Sequence, residues 1–161
     1  KDLNKLNPLS TVEEKKPLGT AGGLYLLKNK IKNDFFLTNC DTIINENYYE
    51  IFNHHKSQKN DITVISESKN FKIPYGVCEV KKDKFSMQEK PILKYFVNTG
   101  FYIISKKCLN ILKREKYLDF NEFLNMCRKK NKKIGIIKIK EKNWIDVGQM
   151  KDYKNNFNKD I

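Results

Sequence analysis

The chain has 161 residues, of which 39% are hydrophobic and 12% aromatic, and it carries a formal net charge of +13. This length and composition fit one globular domain with a real core and exclude intrinsic disorder. No run of 18 apolar residues is present, and the N-terminus "KDLNKLNPLS" has no apolar signal region, so we expect a cytoplasmic protein without membrane spans.

The distribution of charge and the spacing of the cysteines argue against two classes of function, nucleic-acid binding and zinc binding. Nearly all the positive charge comes from lysines that are spread along the chain, and the only arginines are Arg114 and Arg128. This distribution argues against nucleic-acid binding. A basic surface would still attract phosphorylated ligands. The cysteines stand at 40, 78, 108 and 127 without a CxxC pair, and His54 and His55 are the only histidines. This spacing argues against a zinc site and favours reduced thiols.

The first half of the chain alternates helical and strand patterns. Apolar spacing at Leu24, Leu27 and Ile31 predicts a short helix over 21–28. The run "FFLT" predicts a buried parallel strand over 35–38, and the following segments predict a helix over 45–59 and a strand over 61–66.

The second half begins with a predicted hairpin and ends with a predicted helix. Two strands over 75–80 and 84–90 are joined near Lys82-Asp83, and a long strand over 95–104 carries a polar interruption at 98–100. The remaining predictions are helices over 106–114 and 120–130, a strand over 133–140 and a helix over 150–157. Together these elements predict an α/β fold with a mixed or parallel sheet.

Two aspartates follow apolar runs that end as strands would. Asp41 follows "FFLTNC", and Asp146 follows the apolar pair in "NWIDVG". Ligands gather at the carboxyl ends of strands in open α/β sheets, where a carboxylate could hold Mg²⁺ beside a phosphate. Each aspartate could equally cap a turn or the next helix.

Polar residues and glycines mark a second group of candidates. Lys90 precedes a proline, which predicts extended backbone there, and its ammonium could neutralise a phosphate or remain an exposed charge beside Glu89. Gly76 and Gly100 lie in strand-like runs, where glycine signals a bulge or a closely approaching ligand. Asn98 and Thr99 could bind a polyol or satisfy the backbone of an irregular strand.

The segment "PLGTAGG" is a glycine-rich loop without a standard phosphate-binding ending. It lacks the Gly-Lys-Ser/Thr of a Walker A motif and does not match GxGxxG. Backbone N–H groups at the start of the following helix could still meet the polar edge of a ligand.

The order of these motifs resembles the sugar-nucleotidyltransferase family of sugar-1-phosphate guanylyl-, thymidylyl- and uridylyltransferases. "PLGTAG", "NCD", "YGV", "EKP", "NTGFYI" and "WIDVG" follow one another in that order between about 14 and 153. The resemblance implies a Rossmann-like mixed sheet of the nucleotide-diphospho-sugar transferase type, which forms one incomplete domain over 1–161. It also implies an enzyme that makes an NDP-sugar and pyrophosphate from an NTP and a sugar 1-phosphate.

The resemblance also implies a role for each matching residue. Asp41 and Asp146 would bind Mg²⁺, and Lys90 would grip the sugar phosphate. Sugar contacts would come from Gly76, Glu89, Lys90, Asn98 and Thr99, and the nucleotide base would lie against Leu18, Gly19, Thr20 and Gly22. Phosphoryl transfer of this kind depends on positioning and charge neutralisation, so no nucleophilic side chain is required.

Two departures from the family pattern qualify these expectations. Cys40 stands where many members have glycine, and the N-terminal signature G-x-G-[ST]-R-[LM] has no counterpart, so the first strands are expected to be missing. We therefore expect weak or no catalysis by this chain alone, and association into homo-oligomers through the sheet edges that missing strands would expose. The overall likeness to mannose-1-phosphate-type guanylyltransferases implies a preference for GTP. The alternatives are a non-catalytic sugar-phosphate or nucleotide-binding regulatory module and, less favoured, a basic nucleic-acid-binding protein.

Overall fold

We analysed a computed structural model, which describes residues 10–148 of the chain. The α-helices are α1 (Gly19–Gly22), α2 (Leu24–Leu27), α3 (Tyr48–Ser57) and α4 (Phe120–Lys129). The strands are β1 (Phe35–Thr38), β2 (Thr42–Ile44), β3 (Ile62–Lys72), β4 (Val77–Lys81), β5 (Lys84–Gln88), β6 (Ile92–Ile104), β7 (Ile134–Ile139) and β8 (Trp144–Asp146). Short 3₁₀ helices cover Lys106–Ile111 and Glu141–Asn143.

The main sheet has four strands in the order β1-β6-β3-β7. Strand β6 is antiparallel to both neighbours, whereas β3 and β7 are parallel. The predicted mixed sheet is therefore confirmed. The prediction of a buried parallel strand at 35–38 is wrong, because β1 pairs with β6 in the antiparallel sense and its residues are at most half-buried.

A core lies on each face of this sheet, as alternating side chains on the strands require. One core packs α2, α4 and the first 3₁₀ helix onto the sheet through residues such as Leu24, Leu109 and Phe123. The other core packs α3 onto the opposite face through Ile51, Ile65 and Ile103. Among the described residues, no helix is both long enough and apolar enough to cross a bilayer.

The hairpin of β4 and β5 is confirmed and forms its own two-stranded sheet. Its turn is made by Lys82 and Asp83, both in the left-handed region with φ of 50° and 63°. Two positive φ angles in a two-residue loop match the twist of the flanking strands. The apolar residues Val80, Phe85 and Met87 are exposed on it.

Two helix predictions differ from the structure, and one falls outside it. The segment 21–28 lies in two short helical turns, α1 and α2, and the N–H groups of Ala21 and Gly22 donate to the Leu118 carbonyl rather than along the segment. The segment 106–114 is a 3₁₀ helix that ends at Ile111. The helix predicted over 150–157 lies outside the described residues.

Candidate active site

Strands β2 and β8 bring Asp41 and Asp146 together. They pair antiparallel with Thr42 opposite Asp146, and the Val147 N–H donates to the Asp41 carbonyl at 2.8 Å. A Cβ on Gly148 would lie 2.8 Å from Oδ2 of Asp41 and 3.2 Å from Oδ1 of Asp146. The two carboxylates therefore face the same small volume, which glycine keeps open.

This pair of carboxylates fits Mg²⁺. The ion is usually held by one or two carboxylates, with water and substrate phosphate oxygens completing its shell. Within residues 10–148, no group of three or more histidine, cysteine, aspartate or glutamate side chains is placed to hold a metal. A magnesium ion at Asp41 and Asp146 would therefore take its other ligands from phosphate and water.

The turn from β1 to β2 carries Asp41 into position. Its first residue, Asn39, donates its backbone N–H to the Gly100 carbonyl at 3.0 Å, which ties the turn to β6. Cys40 is exposed and has a free thiol. The turn thus accommodates a cysteine by directing its side chain outward.

Strand β6 carries a bulge at the predicted polar interruption. Asn98 pairs with Ser66 and Tyr102 pairs with Val64, so β6 has two residues more than β3 between these positions. Gly100 adopts φ of 78°, which favours glycine. The ladder between β6 and β3 is therefore interrupted at 98–100.

The bulge gives Asn98 and Thr99 different surroundings. Asn98 is exposed, whereas Thr99 is buried and its hydroxyl donates to the Ile65 carbonyl at 2.8 Å. The Thr99 carbonyl in turn accepts from the Thr42 hydroxyl at 2.9 Å. Thr99 therefore fixes the bulge, while the carboxamide of Asn98 is the group open to a ligand.

Two pockets meet at this edge of the sheet and share Asn39 and Asn98 in their walls. The pocket beside the aspartates, which we call the acidic pocket, has a volume of about 310 Å³ and is also lined by Trp144. The second, which we call the threonine pocket, has a volume of about 390 Å³ and is also lined by Thr20 and Asn121. Because they share these two residues, we refer to the two pockets together as the groove.

The glycine loop reaches the threonine pocket through one side chain. Thr20 lines it and accepts a hydrogen bond from the Phe120 N–H at 2.8 Å. Leu18 and Gly22 are buried, and the N–H groups of Ala21 and Gly22 donate to the Leu118 carbonyl. These N–H groups are therefore engaged within the protein, and the loop is shaped by packing against the segment before α4.

Gly19 shows why this loop needs glycine. It adopts φ of 75°, and a Cβ there would lie 2.8 Å from the Leu118 carbonyl oxygen. Both the backbone conformation and the close approach exclude a larger side chain without a shift. The conformation that places Thr20 in the pocket thus depends on Gly19.

Gly76, Glu89 and Lys90 form a separate group at the base of the hairpin. A Cβ on Gly76 would lie 3.1 Å from Oε2 of Glu89, and Lys90 Nζ lies 3.7 Å from Oε1 of the same side chain. Gly76 stands just before β4 rather than within a strand. None of these three residues lines the acidic pocket or the threonine pocket in this structure.

The backbone at Lys90 corrects the sequence prediction. Lys90 adopts φ of 43° and is not extended. Its N–H donates to the Tyr75 carbonyl at 3.2 Å, and the Ile73 N–H donates to the Pro91 carbonyl at 3.0 Å. These bonds join the segment that enters the hairpin before β4 to the segment that leaves it after β5, and they hold Lys90 in a left-handed turn. They outweigh the preference of a residue before proline for extended backbone.

Several groups of the groove were missed by sequence reasoning. Asn39, Tyr102, Asp119 and Asn121 line the threonine pocket. Tyr102 reads as an ordinary apolar strand position, and Asp119 as a helix N-cap. Asn39 stands in the "NCD" motif and Tyr102 in the "NTGFYI" motif, so these two residues carried a sequence signal that could have been used.

Comparison with known proteins gives a consistent picture. The family model described as "Nucleotidyl transferase" matches residues 1–161. A mannose-1-phosphate guanyltransferase of Debaryomyces hansenii is 28% identical, and the alignment covers 87% of this chain and 41% of the relative. A mannose-1-phosphate guanyltransferase of Aspergillus oryzae is 30% identical, and the alignment covers 87% of this chain and 40% of the relative. The chain thus spans about two-fifths of the length of these curated relatives.

Solved structures show the same fold. The crystal structure of HddC from Yersinia pseudotuberculosis aligns with a TM-score of 0.64 and 25% identity, over 95% of this chain and 69% of that one. A second structure of HddC, complexed with GMP-PN, aligns with a TM-score of 0.67 and 23% identity over 98% of this chain and 71% of that one. The expected fold class is confirmed.

Proposed function

We propose that this chain, which belongs to the nucleotidyl transferase family, is part of an enzyme that makes an NDP-sugar from an NTP and a sugar 1-phosphate. The observation that carries this proposal is the convergence of Asp41 and Asp146 on one small volume at the end of a polar groove. A carboxylate pair beside hydrogen-bonding amides suits a ligand that carries both phosphates and hydroxyls.

The reaction needs little covalent chemistry from the protein. An oxygen of the sugar phosphate attacks the α-phosphorus of the NTP, a new P–O bond forms, and the bond to the bridging oxygen of the β-phosphate breaks as pyrophosphate leaves. The attacking phosphate is already ionised, so no general base is required. The protein contributes mainly by holding the two phosphates in line and by neutralising charge.

Asp41 and Asp146 would hold Mg²⁺ in this proposal. When bound, the ion would neutralise charge on the phosphate oxygens and help to orient them. The Val147 N–H holds the Asp41 backbone by donating to its carbonyl, and the Gly148 N–H orients the Asp146 carboxylate by donating to its Oδ1.

The remaining assignments follow the resemblance and the placement of each group. Lys90 would pair with the sugar phosphate as a point charge, with Glu89 and Gly76 beside it on the sugar side. The exposed carboxamide of Asn98 supports a role in binding sugar hydroxyls, and Thr99 would act through the bulge that it fixes.

The base would lie on the glycine loop of Leu18, Gly19, Thr20 and Gly22. Because Leu18 and Gly22 are buried, they would shape the loop and leave Thr20 as its contact group. The names of the curated relatives support GTP as the nucleotide and mannose 1-phosphate as the sugar phosphate. We further propose a cytoplasmic location, which the free cysteines at 40, 78, 108 and 127 support.

The first experiment measures Mg²⁺-dependent binding and turnover. GDP-mannose is titrated calorimetrically with and without Mg²⁺, and pyrophosphate release is followed with GTP and mannose 1-phosphate. We expect D41N and D146N to lose the Mg²⁺-dependent part of binding and to lower any turnover by about 100-fold, a scale typical of several kcal/mol of charge stabilisation.

Asp83 provides a matched control, because it is an exposed aspartate in the hairpin turn where asparagine is also well tolerated. D83N should behave as the unsubstituted protein. If D41N and D146N match D83N in binding and turnover, the proposed function is wrong. Binding of GDP-mannose that does not depend on Mg²⁺ would instead support a non-catalytic binding module.

A further inference from the structure

The carboxamide of Asn98 is held at two points. Its Oδ1 accepts from the Gly100 N–H at 3.2 Å, and its Nδ2 donates to the phenol oxygen of Tyr102. A backbone N–H can only donate, so the atom that it meets must be the carbonyl oxygen of the side chain. This contact fixes which way the amide is turned, and the nitrogen must then face Tyr102.

Tyr102 is itself firmly placed. Its side chain is 5% exposed, and its ring stacks on Phe120 with centroids 3.9 Å apart and planes inclined by 28°. On its strand it lies opposite Leu37 on one side and Val64 on the other. Burial raises the pKa of the Tyr102 phenol, so the hydroxyl stays protonated at neutral pH and accepts from the amide as a neutral group.

The two contacts leave part of the amide free. A carboxamide has two N–H donors and two acceptor lone pairs, and one of each is engaged here. Asn98 is exposed and lines both pockets of the groove, so the free N–H and lone pair are presented where the pockets meet. One donor and one acceptor side by side match a sugar hydroxyl, which can accept and donate at once.

We infer that Tyr102 is a positioning residue for sugar binding, which locks the carboxamide of Asn98 so that it presents a fixed donor and acceptor to sugar hydroxyls. The inference rests on the proposed function and extends it to a residue that contacts the sugar site through Asn98. Without the phenol oxygen, the amide could rotate about its side-chain bonds, and binding would have to restrict that rotation.

A purely structural role would give a different result. If Asn98 served only to satisfy a buried tyrosine hydroxyl, removing the hydroxyl would relieve that need and leave ligand binding unchanged. If Tyr102 positions Asn98, removing the hydroxyl weakens ligand binding while the ring still stacks on Phe120. The affinity of the variant for the ligand therefore distinguishes the two cases, whereas its stability does not.

The test uses Y102F, N98A and the double variant, with Y25F as control because Tyr25 packs half-buried against the same core. We expect Y102F to raise the Kd for GDP-mannose by about 5- to 20-fold, the scale of one hydrogen bond. Any effect on turnover should lie in the KM for sugar 1-phosphate and not in kcat or the KM for NTP. In the N98A background, Y102F should change the Kd less than about twofold, since the partner of its hydroxyl is then absent.

A second readout needs no ligand. Hydrogen exchange of the Asn98 side-chain N–H that donates to Tyr102, followed by NMR, should be slow in the unsubstituted protein and in Y25F, and faster in Y102F. Equal exchange in Y102F and Y25F overturns the inference, as does an equal Kd. If N98A leaves the Kd unchanged while the exchange result holds, the proposed sugar site is wrong but the locking of the amide by Tyr102 stands.

Discussion

Replacing Gly100 by alanine tests the bulge that shapes the groove. Gly100 has φ of 78°, and a left-handed conformation costs an alanine about 1–2 kcal/mol. The new Cβ would lie 2.6 Å from Nδ2 of Asn39, well short of the 3.4 Å at which ordinary contact begins. Asn39 is tied to the same residue by its backbone hydrogen bond, whose weakening would add up to about 1 kcal/mol. We expect G100A to lower the free energy of unfolding by about 1–3 kcal/mol.

Urea denaturation followed by fluorescence measures this change directly. Trp144 is the single tryptophan of the chain and lines the acidic pocket, so its emission reports on the same region. G76A is the matched control, because a Cβ there would meet an exposed glutamate side chain 3.1 Å away that can move aside. A loss for G100A that is under about 0.5 kcal/mol, or no larger than the loss for G76A, would refute the reasoning from backbone strain.

Three further predictions concern pH, helix capping and the metal site. His55 is fully buried, and this burial lowers its pKa although the charge of Asp34 opposes the shift. The free energy of unfolding should therefore fall as the pH drops below about 6.5, where the histidine is protonated in the unfolded chain but not in the folded one. Chemical denaturation at several pH values should show that H55Q removes this dependence and that H54Q keeps it. T20V removes the acceptor for the Phe120 N–H at the start of α4 and should cost about 1 kcal/mol in thermal or urea unfolding, whereas an unchanged stability would show that this hydrogen bond contributes nothing. G148A would crowd the carboxylates of Asp41 and Asp146 and should weaken Mg²⁺ binding by about tenfold in calorimetry, with an unchanged affinity counting against the proposed site.

Local patterns predicted much of the secondary structure. The helices α3 and α4 lie within the predicted ranges, because the apolar spacing that predicts a helix is a local property of the sequence. The hairpin and its turn at Lys82-Asp83 are also confirmed. Strand β2 was missed, since three residues carry too little periodicity and its partner β8 lies far along the chain.

The partner of each strand was harder to predict than the strand itself. The run "FFLT" reads as a strand from its composition alone, but its antiparallel pairing depends on β6, which follows much later in the sequence. The same reason explains Lys90: the preference of a residue before proline is local, whereas the hydrogen bond from Lys90 to Tyr75 belongs to the crossing between two sheets.

For the candidate site, the sequence by itself determined the residue types and their order. Six short motifs in one order indicated the family, which the family model matches, and they named Asp41, Asp146 and Asn98 as candidates. Only the tertiary structure decided that the two aspartates meet across β2 and β8, and that Tyr102 holds Asn98. The physical reason is that a motif consists of adjacent residues, whereas a site is formed when strand pairing brings distant residues together. The free energy of that pairing depends on the whole packed sheet and cannot be read from one segment.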